Sequence, residues 1–373
     1  MSVAMDTNTL TEGTTALSIK LKTLQDDDRP VYIAGNFNNW REKDPTFKLQ
    51  KVAEGEYVYK FATHMKLSYP IQYKYAKGNW LHVELDKYRN PMRNRTVESP
   101  VEELNDVVPQ WLDNGKPIYQ EKFLPKKILV AENFDLPQLN RKRRIWALLP
   151  HDYDATDRRY PVIYLQDGQN LFDENAPFGS WSIDKKMAVL AEKDKHHVIV
   201  IAVDHAGKER ITEFAPFRTE RFRRNDGRKY IEFMADTLKP FIDKKFRTLP
   251  DRESTGIGGS SMGGLVSIYA GLIRPDTFGR LLIFSPSLWM IPKIYFRAID
   301  FSHPYDSRVY IYAGERESET MIDNIHRLKE VVQRKKQNEA VIKLRINVDE
   351  HGQHSEYFWG IQFPAAIDWL FFQ

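Results

Sequence analysis

The sequence predicts two folded parts: a small all-β sandwich, then a mostly parallel α/β sheet with helices on both faces. Three observations carry this. Residues 16–97 hold short β-type runs and show no helical periodicity. From residue 126 onward, near-continuous apolar runs alternate with amphipathic segments, as in a parallel sheet buried on both sides. Between residues 254 and 273 a Gly/Ile-rich run turns abruptly into a long apolar segment, which reads as strand, sharp turn and helix.

The elements follow in order. Residues 1–15 are polar, lack the basic start and apolar core of a secretion signal, and read as a disordered lead. Strands are expected at residues 17–21, 31–34, 57–61, 71–76 and 80–85, separated by Asn, Asp, Gly and Pro. Residues 98–125, with Pro100, Pro109, Pro117 and Pro125, read as a linker strapped over the surface. The α/β part fills residues 126–373. Its strands are expected at 127–130, 144–149, 162–166, 198–203, 254–258, 281–284, 309–313 and 342–348, and its helices at 183–192, 230–246, 263–274, 319–336 and 363–371.

Composition excludes several chemistries. The 373 residues suit two domains, and 42% apolar with 13% aromatic residues supply packed cores. A net charge of +4 gives no reason to expect a nucleic-acid partner. Cysteine is absent, which removes thiol catalysis, thiolate metal sites and disulfides together. No run of about 18 apolar residues is available to span a bilayer, so no membrane partner is expected. Cytoplasmic is the default location, with the periplasm or the exterior as the expectation if a signal has been removed.

The turn carries the chemistry. Gly259-Ser260-Ser261-Met262-Gly263 matches G-x-S-x-G, with a strand before it and a helix after it. That context holds a serine at a strained corner with its hydroxyl exposed, so Ser261 is the candidate nucleophile. The N–H of Met262, at the helix N-terminus, would face an oxyanion above Ser261. A serine hydroxyl needs a base and usually a carboxylate to orient that base. In an α/β-hydrolase sheet these come later in the chain, acid first and histidine last. Glu315, Glu317 and Glu319 follow the 309–313 strand, and His351 and His354 follow the 342–348 strand. Spacing alone does not choose among them. His196 and His197 begin a strand and read as structural or exposed, and the His/Asp/Glu spacing offers no metal cage, so neither metal nor organic cofactor is expected.

A resemblance narrows the choice. The run Tyr164 to Phe172 (YLQDGQNLF), Trp181 with Asp184, Arg210 with Glu213-Phe214, Gly259 to Gly264, Phe284-Ser285-Pro286-Ser287, Gly314-Glu315-Arg316-Glu317 and His354 to Trp359 (HSEYFW) occur in this order. Together they cover most of residues 141–373, and this part resembles the esterase family that includes esterase D, ferric-enterobactin esterases, feruloyl esterases and the mycolyltransferases. The resemblance implies a histidine five residues before a tryptophan, which His354 meets and His351 does not. It implies an acid three residues after the strand-end glycine, which selects Glu317. It also implies that the N–H of Gln169, in the Asp167-Gly168-Gln169 turn, joins that of Met262 as the second oxyanion donor. Asp167, Trp181 and Arg210 are then substrate-binding candidates, with a plain turn carboxylate as the other reading of Asp167.

Between residues 208 and 229, Arg210, Arg218, Arg221, Arg223, Arg224, Arg228 and Lys229 are interleaved with Phe214, Phe217 and Phe222. One reading is a wall for an anionic or aromatic acyl group, with Arg221 and Arg223 as binding residues. The other is a solvated basic loop in which Arg210 pairs with Glu213. At the N-terminus, Val31 to Trp40 (VYIAGNFNNW), Ile71 to Tyr75, Lys77 to Trp80 and Asn94 to Val97 resemble starch- and glycogen-binding modules of the immunoglobulin-like class. The resemblance implies glucan binding through Trp40 and Trp80, whose rings suit the apolar face of a pyranose.

The expectation is therefore a serine carboxylic-ester hydrolase with the triad Ser261, His354 and Glu317. Its expected substrates are small or polysaccharide-linked aryl or acetyl esters. A siderophore trilactone, acyl transfer to a sugar hydroxyl, and a non-catalytic carbohydrate-binding protein are the alternatives.

Overall fold

The computed structural model describes residues 17–27, 29–116, 118–194, 196–220, 223–299, 304–333 and 341–373. The expected lead at residues 1–15 lies outside them, and so does Arg221. The chain divides into two compact units at Ile118/Tyr119.

The first unit is a β-sandwich. Its strands are β1 (Ser18–Thr23), β2 (Tyr32–Gly35), β3 (Gln50–Ala53), β4 (Glu56–Lys60), β5 (Ile71–Ala76), β6 (Glu84–Leu85), β7 (Arg95–Val97), β8 (Glu103–Val108) and β9 (Gln110–Trp111). They form sheets ordered β3-β4-β1-β8 and β2-β5-β7, with β6 and β9 as a separate pair. Alternation explains the inner faces: Ile19 and Leu21 on β1, and Ile71, Tyr73 and Tyr75 on β5, point into one core with Val31, Ile33 and Tyr57. Trp80 opens a short 3₁₀ turn, Trp80–His82, ahead of β6 rather than starting a strand.

The linker expectation is corrected here. Residues 103–111 belong to the sandwich, with β8 running parallel to β1 from Ser18↔Glu103 to Thr23↔Val108 and β9 pairing with β6. Pro100 and Pro109 lie just outside β8 and punctuate a strand, where the sequence suggested a strap without structure. A polar knot ties this segment in. Arg95 bonds Glu84 at 2.8 Å and Asp106 at 2.9 Å, and the hydroxyls of Tyr73 and Tyr75 donate to Asp106 at 2.7 and 2.6 Å. Glu84 is fully buried, so loss of Arg95 alone would leave an uncompensated charge, at a cost of about 3–5 kcal/mol.

The second unit is built on eight strands: β10 (Lys126–Leu136), β11 (Arg141–Leu149), β12 (Val162–Gln166), β13 (Ile199–Val203), β14 (Thr255–Ser260), β15 (Arg280–Phe284), β16 (Ser307–Gly314) and β17 (Ile342–Asp349). Their order is β10-β11-β13-β12-β14-β15-β16-β17. β10 and β11 run antiparallel to their neighbours, and β13 onward is parallel. β12, β13 and β14 are buried along their whole length, which is why they read as unbroken apolar or glycine runs.

Helices α1 (Ile183–Asp194), α2 (Arg210–Phe214), α3 (Gly227–Phe233), α4 (Lys239–Lys245), α5 (Met262–Ile273), α6 (Lys293–Ile299), α7 (Met321–Gln333) and α8 (Glu356–Phe371) cover the sheet. α1 packs on α8 over β15 and β16, while α2, α3 and α6 gather around α5. Two helices depart from expectation. The 230–246 segment is α3 and α4 joined by a π turn, Met234–Leu238, just before Pro240, which has no N–H for the ordinary ladder. α8 begins well before residue 363, because Pro364 sits inside the helix rather than at its start. Among the described residues no helix is long and apolar enough to cross a membrane.

Candidate active site

The parallel strands carry their functional loops at one end: residues 167–170 after β12, Ser261 after β14, Ser285 to Ser287 after β15, Glu317 after β16 and His354 after β17. Ser261 is held at φ 56°, ψ −121°, between the last residue of β14 and the first of α5. A non-glycine residue there stores about 1–3 kcal/mol and persists only if its surroundings over-determine it. They do: Ser261 N–H donates to Phe284 O at 2.9 Å, and its carbonyl accepts from Leu265 N–H and Ser287 N–H, both at 3.1 Å. The flanking glycines are steric necessities. A Cβ on Gly259 or on Gly263 would lie 3.1 Å from Cβ of Gln166, tighter than packed carbons normally approach. Gln166 itself cannot retreat, since it accepts a hydrogen bond from the buried Tyr230 hydroxyl.

The carboxylate and imidazole are paired. His354 Nδ1 lies 2.8 Å from Glu317 Oε2. A carboxylate only accepts, so the shared proton sits on Nδ1 and leaves Nε2 as the basic nitrogen. The other oxygen, Oε1, accepts from Ser285 Oγ–H at 2.6 Å and Gly314 N–H at 2.7 Å, while Ser285 Oγ accepts from Trp359 Nε1–H at 2.8 Å. Trp359 also sets its ring edge-on to the imidazole, with centroids 4.9 Å apart. Burial separates the candidate acids that spacing could not: the Glu317 side chain is 1% exposed, while Glu315 and Glu319 are exposed. His351 is exposed and contacts Arg316.

The two loops that carry this pair are pinned to each other. A Cβ on Gly314 would lie 2.2 Å from the Gly352 carbonyl carbon, so the two backbones pass at a distance only glycine permits. Glu315 N–H donates to Asp349 O at 2.8 Å and Arg316 N–H to Gly352 O at 3.1 Å. The Ser261 hydroxyl bonds Ser287 Oγ at 3.0 Å and, among the described residues, makes no hydrogen bond to His354. Such bonds are commonly long before substrate binds.

The Asp167 turn has φ 58° at Asp167 and leads into a 3₁₀ turn, Gly168–Asn170. Asp167 and Arg210, expected to meet substrate, instead satisfy each other through two bonds of 2.6 and 2.7 Å. They clamp the turn in place, because a buried carboxylate takes the nearest guanidinium fork it can reach. Glu213 pairs with Arg143 and Arg141, not with Arg210. Gln169 accepts from His205 N–H at 3.1 Å through its side chain. Trp181 is corrected as well: at 2% exposure, stacked on Phe284 with centroids 5.3 Å apart, it backs the site from the core and offers no open face. Arg223 is exposed.

Sequence reasoning gave no role to Ser285, Ser287, Trp359 or Glu356, although all four lie in the motif-bearing runs. Glu356 accepts from Asn170 at 3.3 Å, and burial raises its carboxyl above the ordinary range. Three aromatics close to these groups along the chain are solvent-exposed. Trp289, 51% exposed, is two residues from Ser287; Tyr357, 59% exposed, adjoins Glu356; Phe178, 74% exposed, precedes Gly179, which lies against Glu356. Among the described residues, the cluster able to share a metal ion is His151, Asp152 and His197, at the other end of the sheet.

Comparison with known proteins identifies the family. The model of the Esterase family, described as "Putative esterase", matches residues 137–370. Bacillus subtilis (strain 168) YbbA is 24% identical over 240 residues, 61% of this chain and 92% of the relative. The endo-1,4-beta-xylanase/feruloyl esterase of Xylanibacter ruminicola is 29% identical over 156 residues, 39% of this chain and 20% of the relative. Among solved structures, the Shigella flexneri enterobactin esterase FES, determined in the presence of enterobactin, shares the fold with TM-score 0.54 at 16% identity, over 95% of this chain and 92% of that one. With a serine turn, an ordered acid and histidine, and a family match across well over half its length, the chain belongs to the Putative esterase family and is a carboxylic ester hydrolase.

Proposed function

We propose that Ser261, His354 and Glu317 hydrolyse aryl esters linked to polysaccharide through an acyl-enzyme. The observation that carries this is the Glu317–His354 pair, which presents a basic Nε2 on the same sheet end as the strained serine. In the proposed course, substrate displaces the Ser261–Ser287 bond and the Ser261 hydroxyl turns to His354. Nε2 takes its proton as Oγ attacks the ester carbonyl. The oxyanion rests on the N–H groups of Met262 and Gln169, a contribution worth about 10²–10³ in rate per donor. The imidazolium returns its proton to the leaving alcohol, and water activated by the same nitrogen releases the acid.

The aryl preference is supported by the exposed side chains of Trp289, Tyr357 and Phe178 and by the relative named for feruloyl esterase activity. An aromatic pair contributes about 0.5–1.5 kcal/mol, or roughly 2–13-fold in binding. Trp289→Ala and Tyr357→Ala are therefore expected to raise KM for methyl ferulate by about that factor and leave p-nitrophenyl acetate nearly unchanged. Equal effects on the two esters would show that these rings do not bind the aryl group. The panel should add acetylated xylan and a catecholate trilactone, with Ser261→Ala as blank. Preferential turnover of the trilactone would shift the assignment to siderophore hydrolysis, the activity named for the Shigella flexneri neighbour.

A second reading concerns the sandwich. The rings of Trp40 and Trp80 lie 6.5 Å apart at 46°, and Trp80 is 37% exposed, a pair able to receive a sugar face. We propose that it holds glycan. The full-length protein should be retained on insoluble starch or xylan and lose retention with Trp40→Ala and Trp80→Ala together. Passage of the wild type straight through both resins would leave the module as architecture.

A further inference from the structure

At the sheet end opposite Ser261, a second cluster of chemistry-bearing side chains has no part in the reaction above. β11 runs out through Leu149 and Pro150 to His151 and Asp152, and His197 lies just before β13. The antiparallel register pairs Leu148 with Val200; continued outward by three residues, it sets His151 across from His197. This is why no ligand spacing shows in the sequence: the cluster is made by strand pairing between segments far apart in the chain. The two imidazoles lie 5.4 Å apart, centroid to centroid, inclined at 32°.

Donor atoms of His151, Asp152 and His197 all fall within 4.8 Å of one another, with Asp152 Oδ1 3.8 Å from His197 Nδ1. His197 is 9% exposed. Nδ1 of His151 and Oδ1 of Asp152 are buried and make no hydrogen bond. Buried polar atoms are nearly always satisfied, so two orphans within one such cluster call for an occupant. The other Asp152 oxygen accepts from Arg158, which fixes the carboxylate with Oδ1 turned to the histidines, as outer partners do for ligating carboxylates. A cavity of about 10 Å³, room for one water or ion, borders His151, His196 and His197, though Asp152 does not line it. His196 Nδ1 is also buried without a hydrogen bond, but it lies 3.1 Å from Asp368, its ring stacks on Phe372 at 4.1 Å, and it stands outside the set of three.

We propose that His151, Asp152 and His197 bind one divalent transition-metal ion of the zinc type. Two imidazoles and a carboxylate are the donor set such an ion prefers over magnesium or calcium, and three protein ligands leave a fourth position for water. Ligand atoms around a tetrahedral ion sit about 3.4 Å apart, so small side-chain rotations close the set. The length of β13 and its flanks, at ~3.3 Å per residue, puts the ion about 20 Å from the serine loops. Its function is accordingly to tie the turn after β11 to the start of β13.

The test uses tag-free, full-length protein, stripped with a chelator and titrated with ZnCl₂ by calorimetry and thermal melting. One equivalent should bind, with Tm raised by about 5–10 °C at a hundredfold excess over Kd. Co²⁺ in its place should give the intense visible bands of a tetrahedral site. His197→Gln and Asp152→Asn should lose the equivalent, and His196→Gln should keep it. Absence of saturable uptake by the wild type overturns the proposal, as does uptake that survives His197→Gln. The wild-type titration and cobalt spectrum decide the matter even if a ligand variant fails to fold.

Discussion

Ser261→Ala is expected to lower kcat by about 10⁴–10⁶ on every ester the protein cleaves, with KM little changed. The variant should fold normally. Alanine meets the same φ of 56° as serine, and the side-chain bond lost is the single 3.0 Å contact with Ser287, worth about 1 kcal/mol. The backbone bonds to Phe284, Leu265 and Ser287 that hold the corner do not involve Oγ. Residual turnover should reflect the oxyanion donors alone. Steady-state kinetics and intact mass after fluorophosphonate treatment check both halves: the wild type should gain one adduct and the variant none. An alanine variant keeping a hundredth of the wild-type kcat would show that another group attacks the ester.

Glu317→Gln is the second large effect, expected to cost about 10⁴ in kcat while the fold survives. The reason lies in the partners of Oε1. Gly314 N–H and Ser285 Oγ–H both donate to that oxygen, and the backbone N–H of Gly314 can do nothing but donate. A glutamine must therefore place its carbonyl there and turn its NH₂ toward His354. The amide then donates where the carboxylate accepted, Nδ1 loses its proton, and Nε2 carries it instead. A histidine protonated on Nε2 cannot take the serine proton. Nitrogen NMR of the imidazole should report the inverted tautomer alongside the kinetics. A fall in kcat of less than tenfold would mean that Glu317 does not set the tautomer.

The central sheet was legible because burial on both faces leaves an unmistakable record: Val162 to Gln166 and Ile199 to Val203 have no polar face to confuse the reading. The serine corner was legible because its steric demand falls on neighbours in the chain. What stayed hidden depended on partners remote in sequence. Glu317 could not be told from Glu315 and Glu319 by spacing, since its distinction is burial beneath Ser285 and Trp359, supplied by β15 and α8. Arg210 suggested Glu213, three residues on, yet met Asp167 in the loop after the neighbouring strand. Trp181 stood as a substrate-binding candidate because tryptophan serves equally in a site and in a core. β8 was lost to the prolines that bound it, and the start of α8 to the proline within it.

The contact between Gly314 and Gly352 has a consequence for how the enzyme wears out. It makes acid and base one mechanical part, hung from β16 and β17, while the nucleophile stands on β14 in the middle of the sheet. β17 is an edge strand and only partly covered. Edges open before centres when a protein is warmed. On the triad proposed here, fraying of that one strand draws Glu317 and His354 away together and leaves an intact, well-folded serine with nothing to activate it. The working temperature of the enzyme is then set at its rim, and strengthening β17 would raise it without touching a catalytic residue.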